Sequence, residues 1–486
     1  MFQKVFSSFQ SLFNSSYDWI PTYTSQTSHQ LDPSTSQLFA GKLLLRQDIP
    51  LDEQDFQALC TMDYFQPVQA IVKHQFRFTC RRCGNNKKTL FSEIPCSRCH
   101  QRHVYCRKCI EMGRVLACEP LYVWTGPTAE WERQETPCTW QGSLTNSQQQ
   151  ASDRITKAMV NGNEELMVWA VCGAGKTEML FEGIAAAIAQ GKRVCLATPR
   201  ADVVRELLPR FQASFPETTM DGLYGGSEDK RGTAQLILAT THQLIRYAHA
   251  FDVVIIDEID AFPYHGDPSL PFVTNRAAKR DASMIYLTAT PRKQQKSRVQ
   301  ANKLATVFVP VRFHGHPLPA PKLHLCFSLQ KQLKAAQLPE ALLKWYRKRV
   351  NPKRQLLIFV PTIELAEKIV PTLAEKLSIS SITSVHSSDP ERETKVQQLR
   401  HKEIFVLVTT TILERGVTFP SVDVVVLDAG HRVFDEAALV QIAGRAGRSP
   451  DDPTGEVIFF HDGRTNAMVE AVQSIKAMNK KGRTVK

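Results

Sequence analysis

Beyond Leu144 the chain alternates short apolar runs with stretches whose apolar residues recur at helical spacing. "VCLATP", "QLILATT", "VVIIDEID" and "MIYLTATP" are each an unbroken apolar run that stops at a polar loop. A run without polar alternation is buried on both faces, the condition of a strand in a parallel sheet. Strands of this kind separated by helical segments predict an α/β fold. After the Pro/Gly-rich "HGHPLPAPK" the pattern resumes with "QLLIFVPT", "IFVLVTTT", "VDVVVLDAG" and "GEVIFF". Two tandem parallel-sheet domains are therefore expected, over 144–312 and 320–465, joined by a hinge.

The flanking regions say less. Phe2, Val5, Phe6, Phe9, Leu12 and Phe13 form an apolar stripe at helical spacing, suited to packing on a neighbouring domain or to lying on a membrane surface. The Ser/Thr/Gln/Pro-rich stretch Pro21 to Gln37 reads as linker or loop, and 1–75 predicts no defined domain. Residues 76–140 are cysteine-rich and basic, and 466–486 read as a basic tail whose end, "KKGRTVK", should fray. At 486 residues the chain is too long for one core. Sixty Lys+Arg against 48 Asp+Glu give a net charge of +12, which suits a polyanionic partner. No apolar run approaches the ~20 residues that span a bilayer, and "MFQKVFSSFQSLFNSSYDW" is too interrupted for a secretory signal, so a cytosolic chain is expected.

Residues 168 to 179, "VWAVCGAGKTEM", follow a buried strand and precede an apolar helical run, the context a phosphate-binding loop requires. Gly173 and Gly175, with Ala174 between them, can take backbone angles that turn successive N–H groups toward phosphate oxygens. Lys176 would reach the β- and γ-phosphates of ATP and Thr177 would hold Mg2+. Alanine stands at 170, where the usual loop pattern opens with glycine; at a strand end, ordinary extended angles suffice there. "VVIIDEID" puts Asp257 and Glu258 at the carboxyl end of a strand, Asp257 for the Mg2+ shell and Glu258 to orient or deprotonate the attacking water. Alone, two acids after a strand are more often a helix cap. Joined to the loop, they define an ATPase.

From Leu144 to about Asp462 the ordered motifs resemble a superfamily 2 helicase core. "LTNSQ" resembles the glutamine motif that senses adenine, through Gln148, and "AVCGAGKT" resembles motif I, in which alanine commonly opens the loop. "ATPR" and "TTHQL" resemble motifs Ia and Ib, "DEID" and "TAT" motifs II and III, "TTTILERGVTFP" motif V and "QIAGRAGR" motif VI. The resemblance implies an α/β fold of two tandem RecA-like parallel-sheet domains. Arg445 and Arg448, three residues apart on a helix-like stretch, would meet the γ-phosphate as arginine fingers, with Gln441 one turn earlier contacting the phosphate or the water. A nucleotide shared by two lobes would close them on binding and let them open after hydrolysis. The loops carrying Thr198 and Arg200, Thr241 and His242, and Thr410 and Thr411 offer hydroxyls with little bulk, suited to the phosphates of DNA, although "TPR" by itself is ordinary loop chemistry.

Cys80-x2-Cys83, Cys96-x2-Cys99 and Cys106-x2-Cys109 are three knuckle pairs, and two such pairs give the four thiolates of a closed Zn2+ site. The first two pairs would make a compact ribbon, whereas the first and third would enclose the middle pair. With Cys118 and Cys138 there are enough cysteines for two ions. Between Arg77 and Arg114 only Glu93 and Glu111 oppose a run of Lys and Arg, with Phe76, Phe78, Phe91 and Tyr105 interleaved. That surface could grip single-stranded nucleic acid by charge and stacking. The same aromatics would serve equally as a miniature core.

"YCRKCIEMGRV", "GAGKTEM", "TTHQL", "DEIDAFPY", "TTTILERGVTFP" and "FFHDG" together resemble the late competence protein ComFA family, from about Cys80 to the end. The resemblance implies an ATPase at the inner face of the cell membrane, driving single-stranded DNA inward during natural transformation. It also implies two partners, the membrane DNA-uptake channel and a small cytosolic competence protein, and it makes Cys80, Cys83, Cys106 and Cys109 the core ligands. Cys96 and Cys99 depart from that shorter pattern. The N-terminal stripe would supply a peripheral membrane contact. Two other functions fit the same residues. One is a duplex-unwinding helicase of the replication-restart kind, for which no strand-splitting insertion is evident. The other is an ATP-gated DNA-binding scaffold.

Overall fold

The computed structural model describes residues 17–21, 32–75, 77–228, 231–414 and 419–484. The N-terminal apolar stripe, Phe76 and part of "TTTILERGVTFP" lie outside them. The chain forms two compact units, the first from Met1–Gly142, Ser152–Met167 and Leu180–Leu287, the second from Ser143–Ala151, Val168–Met179 and Thr288–Lys486.

In the first unit the strands Met220–Leu223, Leu236–Thr240, Val194–Thr198, Phe251–Asp257 and Ala278–Thr288 lie side by side in that order. All four junctions are parallel. Val194–Thr198 and Leu236–Thr240 are buried at every position, as the uninterrupted apolar runs require. The other two members of this seven-stranded sheet are Glu165–Ala170, within which the chain passes from one unit to the other, and Ala305–Val309.

Residues 32–75 are well organised, contrary to the expectation for 1–75. Ser34 to Gln37, expected in a linker, belong to the helix Pro33–Phe39. Asp32 caps it by accepting from the Ser34 N–H at 3.1 Å, and Pro33 occupies the first turn, where a missing N–H costs nothing. An antiparallel sheet of Leu43–Leu44, Leu121–Trp124 and Phe65–Val68 follows. Phe39, Phe56, Tyr64, Phe65 and Trp124 build its core, with the Trp124 ring edge-on to Phe65 at 5.1 Å.

The second unit holds a wholly parallel sheet in the order Lys322–Leu325, Val457–His461, Val422–Leu427, Gln355–Phe359, Val406–Thr409, Ile382–Val385. Among the described residues the chain does not fray after Asn479: the helix Asn466–Thr484 continues to Thr484. Met468, Ala471, Ile475, Met478 and Gly482 recur at helical spacing and are buried, so packing overrides the basic composition. The Asn479 carboxamide accepts from the Leu318 N–H and donates to the Leu318 carbonyl, both at 2.9 Å, tying this helix to the hinge sequence.

Trp124 is 2% exposed, so Trp124→Ala should remove about 3–5 kcal/mol from the stability of its unit. A calorimetric scan of the full chain should show the corresponding transition several degrees lower; an unmoved transition would contradict this core.

Candidate active site and metal centre

Strand Glu165–Ala170 leads into the candidate phosphate loop. Ala170 is its last residue and is buried, with no left-handed backbone angle, so alanine is accommodated as the sequence suggests. The left-handed angles come later, at Gly173 (φ 78°) and Gly175 (φ 70°), which only glycine adopts at little cost. Lys176 and Thr177 are half-buried in the turn that enters the helix Glu178–Ala189. Gln148 lies over this loop: its Nε2 donates to the Ala174 carbonyl at 2.9 Å, and its Oε1 accepts from the Thr145 N–H at 2.8 Å. Its carboxamide therefore fixes the loop from the side.

Gln441 belongs to the helix Glu436–Ala443, which Asp435 caps by accepting from the Ala438 N–H at 2.8 Å. Arg445 and Arg448 are not on that helix as expected. It ends at Ala443, and both lie in the turn that follows, where Gly447 takes a left-handed angle. Arg445 is 1% exposed and donates from Nε to the Glu414 carbonyl at 3.0 Å; Arg448 is half-buried and donates from Nε to the Gly444 carbonyl at 3.0 Å.

The loop and this turn meet within the second unit. The Cys172 thiol donates to Gln441 Oε1 at 3.0 Å, and Gly444 sits so close that an added Cβ would lie 2.5 Å from Cys172 Cβ. Arg312, also 1% exposed, donates to the carbonyls of Gly447 and Gly444. Burial, and then the nearby Arg448 charge, push the Arg312 guanidinium down to about 10, so it stays charged at neutral pH. Sequence reasoning missed Arg312 and Cys172; an arginine inside the apolar "FVPVRF" was the available signal.

In the first unit Asp257 ends the strand Phe251–Asp257, and Glu258 follows in a left-handed conformation with its N–H on Asp257 Oδ1 at 2.9 Å. A non-glycine residue held at φ 56° is locally strained, and such positions cluster at functional sites. Among the residues considered for DNA, Thr198 and Thr241 are fully buried, and Arg200 is engaged by Asp202 at 2.5 and 3.0 Å. His242 is exposed, and Thr410 and Thr411 are half-buried.

The first and third cysteine pairs converge. Cys80, Cys83, Cys106 and Cys109 are buried, with all four sulfurs within 4.8 Å of one another. Cys80–Cys109 and Cys83–Cys106 separations are 3.8 and 3.6 Å, close to the ~3.8 Å edge of a tetrahedron with ~2.3 Å zinc–sulfur bonds. Asn85 Nδ2 donates to Cys106 Sγ at 3.8 Å, a further support for a thiolate. Contacts from Cys109 and its neighbours hold the Cys106 thiol below its usual range, while the Cys106 contact pushes Cys83 and Cys109 up. The donor set fits Zn2+. Cys96, Cys99 and Cys118 form a separate group, and Cys138 belongs to neither. Phe78 and Phe91 pack on each other at 5.7 Å and against the apolar core, which is the miniature-core reading for those two rings.

This centre is anchored to the parallel sheet of its own unit. Arg276 donates to the carbonyls of Arg81, Tyr247 and Ile245 at 3.0, 3.0 and 2.7 Å, and Lys108 pairs with Asp267 at 2.7 Å.

Two RecA-like parallel-sheet domains with a phosphate loop, a strand-end acid pair and a GRAGR turn define a helicase-type ATPase. Residues 141–293 match the family "Type III restriction enzyme, res subunit" and residues 334–450 match "Helicase conserved C-terminal domain". A structure of S. cerevisiae Dbp5 bound to RNA and ADP BeF3 shares the fold, with a TM-score of 0.50 at 17% identity over 69% of this chain and 92% of that one. Residues 26–123 match "Competence protein ComFA N-terminal domain". Competence protein ComFA of Bacillus subtilis (strain 168) is 42% identical over 91% of this chain and 94% of its own length. That of Streptococcus pneumoniae (strain ATCC BAA-255 / R6) is 36% identical over 91% and 98%. The chain belongs to the ComFA family of competence proteins.

Gly444→Ala should drive the turn off Cys172 and lower ATP turnover while circular dichroism stays unchanged. Adding Cys172→Gly should restore much of the loss by vacating the space; a double variant no better than the single one would show that this close approach is immaterial.

Proposed function

We propose that this protein is an ATP-driven translocase on single-stranded DNA, serving DNA uptake in competence. The observation that supports it most is the bond between the Cys172 thiol and Gln441. It joins the phosphate loop to the GRAGR turn, so a triphosphate on the loop stands near the charge of that turn. Membership of the ComFA family and the net charge of +12 support the DNA part.

In this reading the amides of Gly173, Ala174 and Gly175 cradle the phosphates, with Lys176 on the β- and γ-oxygens. Thr177 and Asp257 are the residues that would hold Mg2+, which neutralises phosphate charge when bound. Glu258 orients the attacking water and takes its proton. Each arginine donates from Nε to a carbonyl, Arg445 to Glu414 and Arg448 to Gly444; Arg445 is 1% exposed and Arg448 half-buried, so Arg448 is the more accessible finger for the γ-phosphate. His242, Thr410, Thr411 and the loop of Arg200 contact the DNA backbone, while buried Thr198 and Thr241 shape those loops. The membrane channel and the small competence protein are the partners of this activity.

The test is the ATPase rate of the full chain against single-stranded DNA length, with Mg2+. Translocation predicts a rate that climbs with length to a plateau, and Arg448→Ala should lose turnover by a factor of the order of 10³ while still binding nucleotide. Rates indifferent to DNA length would favour an ATP-gated scaffold. Efficient strand displacement on forked duplexes would favour the unwinding helicase.

A further inference from the structure

We propose that the chain carries a second Zn2+ site, formed by Cys96, Cys99, Cys118 and His103, independent of the one at Cys80, Cys83, Cys106 and Cys109. The sulfurs of Cys96, Cys99 and Cys118 lie within 4.8 Å of one another; His103 stands outside that mutual group but its Nε2 is 3.1 Å from Cys99 Sγ, at one corner of it. Three thiolates and an imidazole are a common structural zinc set, in which sulfur–nitrogen edges are roughly 3.6 Å. Soft thiolates with imidazole favour zinc over hard cations such as Mg2+ or Ca2+.

The backbone gives independent support. At the first centre the Cys80 N–H bonds to the Asn85 carbonyl at 2.9 Å, and the Gly84 N–H bonds to the Cys80 carbonyl at 2.8 Å. Gly84 is left-handed, at φ 72°. The Cys96 loop repeats each feature at the same offsets. The Cys96 N–H bonds to the Gln101 carbonyl at 2.8 Å, and the His100 N–H bonds to the Cys96 carbonyl at 2.9 Å. His100 takes φ 58° although it is not glycine. Both loops therefore aim two sulfurs the same way, and the second accepts a strained histidine backbone to do so.

Topology separates the two centres. The antiparallel pair Phe91–Pro95 and Arg102–Cys106 places Phe91 opposite Cys106 at one end and Pro95 opposite Arg102 at the other. Cys106 serves the first centre, while the Cys96–Gln101 turn at the opposite end, with His103 just inside it, serves the second. At ~3.4 Å per residue the ends are roughly 14 Å apart, too far to share an ion. Cys118 arrives from beyond Val115–Leu116, held by the Ala117 N–H on the Val104 carbonyl at 2.8 Å. A metal there would pin the turn to the segment after Leu116, where the pair between exposed Arg98 and half-buried Glu119, at 3.7 Å, is a weak tie. It would also fix the direction of Arg98 and Arg102, whose side chains are 69% and 68% exposed.

The experiment is zinc content per chain, by mass spectrometry of the full protein purified under reducing conditions. Wild type should hold two ions. Cys118→Ser and His103→Ala should each hold one, Cys138→Ser should keep two, and His103→Cys should restore two with four sulfur ligands. In the Co2+-loaded protein, His103→Cys should shift the visible bands while Cys138→Ser leaves them in place. One ion in wild type, or two retained in both Cys118→Ser and His103→Ala, would overturn the proposal. Zinc content is read without ATP or DNA, so the failure of translocation would leave the result standing.

Discussion

Guanidinium groups buried against backbone carbonyls fix the loops on which every candidate function depends. Arg82, Arg193, Arg276, Arg312 and Arg445 are among the largest fully buried side chains among the described residues. Arg82 donates to the carbonyls of Met112 and Gly113, Arg193 to those of Ala234 and Gly232, and Arg445 to that of Glu414. Loops that leave strand ends present carbonyls with no sheet partner, and each one left unpaired in the interior costs about 1–3 kcal/mol. A guanidinium brings five donors in one plane and does not lose its proton. Even with burial lowering Arg276 and Arg312 to about 10, both stay charged at neutral pH and keep all their donors.

Arg276 shows what this does for the cysteine module. Its donors reach the knuckle backbone at Arg81 and the loop carbonyls of Ile245 and Tyr247. The second of those loops carries Thr241 and His242 at its start. A small domain of this size rarely supplies much stability from its own core. Here the cysteine knuckle and a strand-end loop of the parallel sheet share one side chain, so displacing either strains the other. The module is thus a fixed part of its unit.

Much of this was legible along the chain because its signals are local. Buried parallel strands betray themselves by uninterrupted apolar runs, and Gly173, Gly175, Lys176 and Thr177 form one contiguous stretch. Asp257 and Glu258 follow a strand that ends where the apolar run ends. What escaped detection depends on residues distant in sequence. Nothing near Cys172 announces Gln441, and nothing near Cys118 says which cysteines it would join; only the folded chain brings it to Cys96 and Cys99. The helix Pro33–Phe39 was hidden for another reason: Ser, Thr and Gln dominate its composition, while the signal that mattered was the single cap at Asp32 with Pro33 behind it. The final helix failed likewise, because its basic face masks a buried stripe.

The GRAGR turn couples charge to shape. Arg312 holds the carbonyls of Gly444 and Gly447, the two glycines that bound the stretch containing Arg445. Its charged form is disfavoured first by burial and then by Arg448. An anion beside Arg448 would offset that repulsion. Gly444, packed on Cys172, ties the same turn to the glycine loop 173–177, so the charge at Arg448 and the shape of that loop are linked through one close contact and one buried arginine.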